Sequence, residues 1–365
     1  MKPTEKLRVL LGSRSYTVQI GPGQIHHLAE AYCGKGPKIA VIISDKKLIS
    51  ARKTLKNALT QNHWKFIEIA VQAGESLKDL TQLLPIYEEL TRIKASRDTV
   101  LFALGGGTIG DAAGFVASTY MRGIPWVSIP TTLLAQVDSG VGGKTAVNHP
   151  AVKNLIGTFY QPKLVICDTD FLQTLTRREL VSGLGEVVKY ALAFDPKLFS
   201  FIVDNKSALL ALDPQVLTHA ICRSLHWKCK KVSADEFDQK GIREALNLGH
   251  TFAHALESLT SYKTFQHGEA VIWGLRFALA LSQVKNRISP SARRKYDHFL
   301  SELPVPALPQ KLKIGDLIKK MKQDKKARNG KVKFVLISRH GELTSAVSIE
   351  DSHIRKAFAL MKEFL

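Results

Sequence analysis

The sequence predicts an α/β domain followed by a mostly α-helical domain, with the boundary near residue 174. The chain has 365 residues, more than one average domain, and 45% of them are hydrophobic, which is enough for a sizeable buried core. In residues 1–174, short β-branched runs alternate with amphipathic helical patterns, which is typical of a parallel sheet with crossover helices. In residues 175–365, long helical patterns replace the strands.

The first domain begins with a predicted antiparallel hairpin, in which residues 7–11 and 16–20 flank a Gly/Ser turn. Apolar residues at three- and four-residue spacing then predict helices that cover a sheet. These helices are predicted over 48–59 and 77–93. The parallel strands are predicted at 39–43, 66–71, 99–104, 126–129 and 164–167.

The second domain contains four long helical patterns and few strand signals. The predicted helices span 178–193, 214–231, 244–259 and 270–284. A loop containing Pro304, Pro306 and Pro309 interrupts this half, and residues 334–338 predict one short late strand. This half is therefore expected to be mainly helical.

The composition restricts the classes of partner and the compartment. Fifty-two Lys and Arg against 32 Asp and Glu give a net charge of +20, which suits an anionic partner. The basic residues are spread along the chain without zinc-finger spacing or aromatic interleaving, so we expect no nucleic-acid binding. No window of 18 apolar residues predicts a membrane span. Four cysteines without a C-x-x-C pair favour the reducing cytoplasm.

A glycine-rich turn, GGGTIGD at residues 105–111, joins a predicted strand to a predicted helix. Glycines allow the backbone to approach a pyrophosphate, and the free N–H groups of a helix N-terminus favour an anion. The turn matches G-x-G-x-x-G, but no acidic residue follows about 20 residues later to bind a ribose, which weakens a simple Rossmann interpretation. Asp45, at the end of another strand, is either the ribose or adenine partner or a helix N-cap.

A second polar segment, PTTLLAQVDSGVGGKT at residues 130–145, predicts a strand end, a two-turn helix and a glycine-rich turn. It offers hydroxyls, the carboxylate of Asp138 and the ammonium of Lys144, and Lys153 and Asn154 follow shortly. This set suits a polyhydroxylated anionic ligand, although the lysines are also compatible with a solvated surface. The segment is not a Walker loop, because Asp138 occupies the position of the first glycine.

Histidines and a carboxylate in the helical half predict a metal site. His250 and His254 lie four residues apart on a predicted helix, His267 follows, and Glu186 and Lys189 lie three apart on another helix. Such N and O ligands suit a catalytic Zn²⁺ with one position open. The spacing does not decide which three ligate. The i, i+4 pair favours His250 with His254, but it lacks the glutamate of H-E-x-x-H and makes His267 redundant.

Taken together, these motifs resemble the 3-dehydroquinate synthase family of the sugar-phosphate cyclase superfamily. The resemblance covers most of the chain, and the order and spacing of its strings identify it rather than any one string. The strings are GGGTIGDAAGFVASTYMRG, PTTLLAQVDSGVGGKTAVNHP, KNLIGTFYQP, GEVVKY, NLGHTFAHALE, HGEAV and QDKK.

The resemblance implies a Rossmann-like nucleotide-binding α/β domain at 1–174 and a mainly helical metal- and substrate-binding domain at 175–365. It implies a lyase of the shikimate pathway, which leads to chorismate and the aromatic amino acids. The expected reaction converts 3-deoxy-D-arabino-heptulosonate 7-phosphate to 3-dehydroquinate and phosphate. Its steps are transient oxidation by NAD, β-elimination, re-reduction and intramolecular aldol closure. A cytoplasmic homodimer that acts on a small anionic sugar phosphate, without nucleic acid or membrane, is expected.

Carried over by position, the resemblance also implies the site residues. The ligands of Zn²⁺ or Co²⁺ would be Glu186, His250 and His267, with His254 given to the substrate instead. NAD would contact Asp45, Glu75, Lys78, Gly106, Gly107, Asp111, Thr131, Thr132, Asp138 and Lys153. Substrate would contact Lys144, Asn154, Lys189, Lys228, Arg243, Asn247, His254, Lys325 and Lys326, with Arg122 reaching the neighbouring subunit's site. The catalytic set would be Lys189, Asp138, Lys144 and His254.

Two departures from the family pattern and two rival functions accompany this assignment. Residues 235–243 are one residue longer than the usual motif, so its second acidic position is open between Asp238 and Gln239, and Gly140 replaces a usual serine. One rival is a cyclase of the 2-deoxy-scyllo-inosose or valiolone type, whose substrate has no carboxylate to match Lys228 and Arg243. The other is a metal-dependent polyol dehydrogenase, which would release NADH.

Overall fold

The computed structural model describes residues 4–28, 32, 39–150, 152–323, 332–339, 342–344 and 346–363. Lys325 and Lys326 therefore lie outside the described residues. The chain divides into two compact units. The first unit contains Met1–Leu175 and Leu212–Phe237, and the second contains Thr176–Ala211 and Asp238–Leu365.

The strands of the described chain lie mostly in the first unit. In chain order they are β1 Glu5–Val9, β2 Tyr16–Gly21, β3 Ile39–Asp45, β4 Lys65–Val71, β5 Val100–Gly105, β6 Trp126–Pro130, β7 Lys144–His149, β8 Val152–Phe159, β9 Leu164–Asp168, β10 Val332–Phe334, β11 Ile337–Arg339, β12 Glu342–Leu343 and β13 Val347–Ile349. The α-helices are α1 Ile49–Gln61, α2 Leu80–Arg92, α3 Gly107–Thr119, α4 Arg177–Phe194, α5 Pro196–Asp204, α6 Lys206–Leu210, α7 Pro214–Ala234, α8 His250–Leu259, α9 His267–Val284, α10 Pro290–Ser301, α11 Ile314–Gln323 and α12 Asp351–Lys362.

A seven-stranded sheet in the order β1-β2-β9-β6-β5-β3-β4 forms the centre of the first unit. All neighbours in this sheet are parallel except β1 and β2, which form the predicted edge hairpin. The strand order reverses between β3 and β5, because β4 lies on the outer side of β3. In open α/β sheets, ligands bind at the carboxyl ends of strands at such a reversal.

The buried strands alternate their side chains between two helical layers. Val41 and Leu101 belong to a core cluster with Leu83 of α2 and Val116 of α3. The alternate residues, such as Phe102, belong to a second cluster that contains residues of α1. Because both faces of a parallel sheet are covered, its strands are continuously apolar, and this explains why the sequence predicted them well.

The first unit differs from the sequence prediction in three places. The predicted helix over 77–93 begins only at Leu80, because Asp79 caps α2 by accepting a hydrogen bond from Thr81 N at 2.8 Å. Strands β7 and β8, which form an antiparallel hairpin, were not predicted. Helix α7, which the sequence placed in the second domain, belongs to the first unit, where Leu10 N of the edge hairpin donates to Ser233 Oγ at 2.9 Å.

The second unit is mainly helical, with two short two-stranded ladders, β10–β13 and β11–β12. The predicted helix over 244–259 is divided into a 3-10 turn at Ile242–Asn247 and helix α8. The division falls at Gly249, whose φ of 80° is left-handed and favours glycine. The late strand predicted at 334–338 is likewise two short strands, β10 and β11.

A buried ion cluster in the second unit joins α9 to α10. Arg276 Nε donates to Asp297 Oδ1 at 2.6 Å, and Arg293 Nη2 lies 3.4 Å from Asp297 Oδ2. The three side chains are at most 4% exposed. One carboxylate therefore neutralises part of the charge of two buried guanidinium groups, and its loss leaves both in a medium that solvates them poorly.

Replacing Asp297 with asparagine is expected to destabilise the protein by about 3 to 5 kcal/mol, the usual penalty for breaking a buried ion pair. A loss of this size lowers the melting temperature by roughly 4 to 7 °C in a protein of 365 residues. Differential scanning calorimetry of the purified variant measures this shift. The matched control is Lys322→Ala, which removes a half-exposed ion pair with Asp351 at 2.8 Å and should change stability by less than about 1 kcal/mol. Equal melting temperatures for the two variants would contradict the prediction.

Candidate functional site

The glycine-rich turn lies where the strand order of the first unit reverses. Strand β5 ends at Gly105 and α3 begins at Gly107, so the turn is at the carboxyl edge of the sheet, next to the end of β3. A Cβ on Gly105 would lie 2.5 Å from Ile109 Cγ1, and one on Gly107 would lie 2.9 Å from Ser139 Oγ. A larger residue is therefore excluded at Gly105 and crowded at Gly107, so the turn carries no side chain at either position. This arrangement fits a nucleotide pyrophosphate.

A shallow pocket adjoins this turn. Gly106, Gly107 and Gly110 line one part of it, and Ser139 and Lys144 line another. The backbone amides at the start of α3, the positive end of its helix dipole and a lysine are thus close to one cavity. The pocket suits a ligand with negative charge and hydroxyl groups.

Asp45 ends β3 at the same edge of the sheet, and the structure excludes the interpretation of Asp45 as a helix N-cap. Helix α1 begins at Ile49 with Leu48 as its N-cap residue, so Asp45 is not the helix cap. Its Oδ1 accepts a hydrogen bond from Lys47 N at 3.1 Å, which stabilises the turn that follows β3. The ribose or adenine interpretation of Asp45 stays a prediction.

A cluster of polar residues brings together several of the residues predicted to contact NAD. Lys78 Nζ lies 2.6 Å from Asp111 Oδ2 and also donates to Asn154 Oδ1. Lys153 Nζ lies 3.5 Å from Glu75 Oε1. Burial raises the pKa of Asp111, and the neighbouring Lys78 opposes this rise. Asn154, predicted to contact the substrate, therefore accepts a hydrogen bond from Lys78, a residue predicted to contact NAD.

The segment after β6 forms a short π-helical turn, Ala135–Ser139, instead of the predicted regular helix. Such turns are rare in proteins, and those that occur are often found at functional sites. Thr131 is buried, and Thr132 Oγ1 accepts a hydrogen bond from Ala135 N at 3.2 Å. Asp138 Oδ1 lies 2.5 Å from the Nζ of Lys228 on α7. The predicted NAD contact Asp138 and the predicted substrate contact Lys228 are therefore paired within the first unit.

Three predicted metal ligands come together in the second unit. Glu186 lies on α4, His250 begins α8 and His267 begins α9, and one ligand atom from each lies within 4.8 Å of the others. His250 Nε2 and His267 Nε2 each lie 3.4 Å from Glu186 Oε1. The described residues contain a second such group, which comprises His254, Glu257 and His267. His250 belongs to the group with Glu186 and His254 to the other group. Neither of these two groups therefore contains both histidines of the i, i+4 pair.

Glycine contacts between backbones hold the three elements together. A Cβ on Gly268 would lie 1.6 Å from Ser182 O of α4, and a Cβ on Gly274 would lie 2.1 Å from Gly249 O. Gly268 directly follows His267 in sequence, and Gly249 directly precedes His250. The close approach of the helices therefore occurs beside the ligands themselves, and only glycine permits it.

The Glu186 carboxylate is fully buried, and its environment suits a cation. Among the described residues, neither of its oxygens has a partner in hydrogen-bond geometry, although Lys189 Nζ forms an ion pair with Oε2. Burial raises the pKa of Glu186, but Lys189 and His250 lower it more, so its pKa lies well below the ordinary value. Lys189 balances charge at Oε2, but no described residue hydrogen-bonds to Oε1, and a buried ionised oxygen in that state is unfavourable unless a cation binds it. These residues therefore fit a divalent metal ion.

The two histidines differ in protonation. Burial lowers the pKa of His250 to about 4, and Glu186 opposes this only in part, so the ring is neutral near pH 7. Burial also lowers the pKa of His267, but the neighbouring carboxylates of Glu186 and Glu257 raise it to about 10. His267 thus binds a proton between two carboxylates. A metal ion at Nε2 would displace this proton, as metal binding to histidine generally does.

The remaining predicted substrate residues lie in both units. Lys189 and Arg243 are buried in the second unit, where Asn247 and His254 are partly buried. Lys144 and Arg122 are exposed in the first unit. Glu257, which lies 3.4 Å from His267 Nδ1, was missed by sequence reasoning, although it follows His254 by three residues and so shares its helical face. None of the described helices has the length and apolar character needed to span a bilayer.

Comparison with known families agrees with the motifs. The family model described as 3-dehydroquinate synthase N-terminal matches residues 68–182, and the one described as 3-dehydroquinate synthase C-terminal matches residues 183–327. A 3-dehydroquinate synthase from Idiomarina loihiensis is 41% identical over 350 residues, which cover 96% of this chain and 97% of that protein.

Solved structures confirm the predicted fold class. A 2-deoxy-scyllo-inosose synthase complexed with carbaglucose-6-phosphate, NAD⁺ and Co²⁺ has a TM-score of 0.88 at 24% identity, covering 99% of this chain and 100% of that chain. A 2-epi-5-epi-valiolone synthase from Streptomyces hygroscopicus with NAD⁺ and Zn²⁺ bound has a TM-score of 0.84 at 25% identity. The match covers 95% of this chain and 97% of that chain. With both halves matched by its family models, the chain belongs to the 3-dehydroquinate synthase family.

Proposed function

We propose that this protein is a 3-dehydroquinate synthase, a carbon–oxygen lyase that converts 3-deoxy-D-arabino-heptulosonate 7-phosphate to 3-dehydroquinate and phosphate. The relative from Idiomarina loihiensis has this name and aligns over nearly the whole chain. The observation that carries the proposal is the group of Glu186, His250 and His267, whose ligand atoms lie within 4.8 Å of one another in a chain that matches both domains of the family. A cytoplasmic homodimer of the shikimate pathway, without nucleic acid or membrane partners, is part of the proposal.

The first unit is proposed to bind NAD at the glycine turn. The turn excludes side chains where a pyrophosphate would lie. The polar cluster described above offers the ammonium groups of Lys78 and Lys153 and the carboxylates of Asp111 and Glu75. NAD supplies a hydride acceptor that returns the hydride in the same catalytic cycle, so it is not consumed. The proposed contacts are Asp45, Glu75, Lys78, Gly106, Gly107, Asp111, Thr131, Thr132, Asp138 and Lys153.

The second unit is proposed to bind Zn²⁺ or Co²⁺ through Glu186, His250 and His267. Three protein ligands leave a coordination position open, as catalytic sites require. The metal supplies a Lewis acid that lowers the pKa of substrate hydroxyls and polarises a carbonyl. Lys189, in contact with Glu186, keeps this carboxylate ionised and offers its ammonium group for a substrate hydroxyl.

The charged residues of the chain match the two anionic ends of the substrate. Lys228 and Arg243 are proposed to bind the carboxylate, and Arg243 is able to do so through two parallel hydrogen bonds. Asp138 and Lys189 orient hydroxyl groups. Several successive steps on one substrate depend mainly on holding its reacting groups in place. The phosphate is proposed to contact Lys144, Asn154, Asn247, His254, Lys325 and Lys326, with Arg122 provided by the other subunit of the dimer.

Product analysis tests this function. The purified protein is incubated with the heptulosonate phosphate, NAD and Zn²⁺, and phosphate, 3-dehydroquinate and NADH are measured. We expect equal amounts of phosphate and 3-dehydroquinate without net NADH. Accumulation of NADH would indicate a polyol dehydrogenase instead. Turnover of glucose 6-phosphate in place of the heptulosonate would indicate a cyclase of the 2-deoxy-scyllo-inosose type.

Replacing Arg243 with alanine is expected to lower kcat/KM for the heptulosonate phosphate by about 30- to 1000-fold. This corresponds to the roughly 2 to 4 kcal/mol lost with a buried charged hydrogen-bond partner. Steady-state kinetics give the change, which should appear mainly in KM. Arg243→Lys keeps the charge and should lower kcat/KM less than Arg243→Ala does. Arg287→Ala removes an exposed arginine of the same unit and should leave kcat/KM unchanged. Unchanged kinetics for Arg243→Ala would contradict the placement of this residue.

A further inference from the structure

We propose that Glu257 is a positioning residue that orients His267 and thereby selects which of two overlapping groups of ligands binds the metal. The inference rests on the metal binding proposed above. It concerns a residue that the motifs did not point to, and it assigns Glu257 a role without direct contact with the ion.

The two groups share His267, which makes a choice between them necessary. In one group its Nε2 lies 3.4 Å from Glu186 Oε1, with His250 as the third member. In the other its Nδ1 lies 3.4 Å from both oxygens of Glu257, with His254 as the third member. A neutral imidazole has one nitrogen that donates a proton and one that offers a lone pair. One neutral ring therefore serves only one of the two groups as a metal ligand.

The position of Glu257 favours the group that contains Glu186. An ionised carboxylate accepts hydrogen bonds but does not donate them, so Glu257 stabilises a proton on Nδ1 of His267. When a metal ion displaces the second proton of the ring, the lone pair is on Nε2, the nitrogen that faces Glu186. With its proton on Nδ1, His267 no longer offers that nitrogen to an ion held by His254 and Glu257.

His250 is oriented in the same way by a different acceptor. Its Nδ1 lies 3.1 Å from the carbonyl oxygen of Leu248, and its Nε2 lies 3.4 Å from Glu186 Oε1. Both histidines thus present Nε2 to the same carboxylate oxygen, each with an oxygen acceptor behind its ring. Acceptors of this kind fix the tautomer and ring orientation of metal-binding histidines, and their loss typically weakens metal affinity about 10- to 100-fold.

Metal titration of the full-length protein tests the inference. After removal of metal by chelation, Co²⁺ is added and binding is followed by visible absorption and by calorimetry, with circular dichroism to verify folding. Glu257→Ala is expected to weaken Co²⁺ binding about 10- to 100-fold. Glu257→Gln retains a carbonyl oxygen as acceptor and should recover most of the affinity. His254→Ala should leave the affinity unchanged, because His254 belongs to the group that Glu257 disfavours.

A matched control and a second readout separate positioning from a general structural effect. Glu302→Ala removes an exposed carboxylate that lies 3.5 Å from His298 Nε2, and it should not change Co²⁺ binding. Nitrogen NMR of the folded Glu257→Gln protein, loaded with Zn²⁺, should show His267 with its proton on Nδ1. Unchanged Co²⁺ affinity in Glu257→Ala, or loss of affinity in His254→Ala, would overturn the inference. Failure of the unmodified protein to bind Co²⁺ would instead overturn the proposed metal site.

Discussion

Replacing His267 with alanine is expected to reduce turnover of the heptulosonate phosphate by at least about a thousandfold while the protein stays folded. The loss follows from the several kcal/mol that a metal ion contributes as a Lewis acid, at about 1.4 kcal/mol for each factor of ten. Two ligands, Glu186 and His250, do not suffice for a stable catalytic site. Steady-state kinetics with added Zn²⁺, together with metal analysis of the purified variant, measure both effects.

The fold is expected to tolerate this change because His267 is not the residue that caps α9. Gln266 N donates to Glu269 Oε2 at 2.7 Å, and this capping box is unaffected by the substitution. His298→Ala is the control, since it removes an exposed histidine from the same unit and should retain full activity. A His267→Ala protein with the activity of the unmodified protein would refute the ligand assignment.

Replacing Gly110 with leucine is expected to weaken NAD binding by about a hundredfold, which is roughly 2.7 kcal/mol. Gly110 lies on α3 and lines the pocket beside the glycine turn, and a Cβ there would have no atom of the described residues within 4 Å. A side chain at this position therefore starts in open space, and we expect leucine to extend into the pocket. Leucine also has a higher helix propensity than glycine, so α3 should be preserved.

Calorimetric titration with NAD measures this effect, and Gly315→Leu is the matched control. Gly315 lies on α11 in the second unit and also has no neighbour within 4 Å of its Cβ among the described residues. Its replacement should leave NAD affinity unchanged. If Gly110→Leu bound NAD as tightly as the unmodified protein does, the assignment of the nucleotide to the glycine turn would be wrong.

The sheet was predictable because burial on both faces makes its strands apolar and β-branched. Each predicted strand of the parallel sheet is present, with ends shifted by a few residues. The hairpin of β7 and β8 was not predictable in this way, because strand β8 is largely exposed and has little apolar alternation. The placement of helix α7 in the first unit was also not predictable from the sequence. Its apolar pattern predicts a helix, but the pattern does not indicate whether the first or the second core covers it.

The candidate site was only partly predictable from residue spacing. Spacing alone left three histidines as alternatives for two ligand positions, because Glu186 and His267 are 81 residues apart and only the tertiary structure brings them together. The resemblance to the family named the group that the structure then brought within 4.8 Å. Glu257 was not found, because a glutamate on a helix is usually exposed and nothing in the sequence indicates that it faces His267.

Anomalous X-ray diffraction from crystals grown with Co²⁺ tests the central claim most directly. We expect one strong peak within bonding distance of Glu186, of His250 Nε2 and of His267 Nε2. A peak that instead contacts His254 and Glu257, or the lack of any peak near these side chains in crystals that contain the metal, would contradict the account.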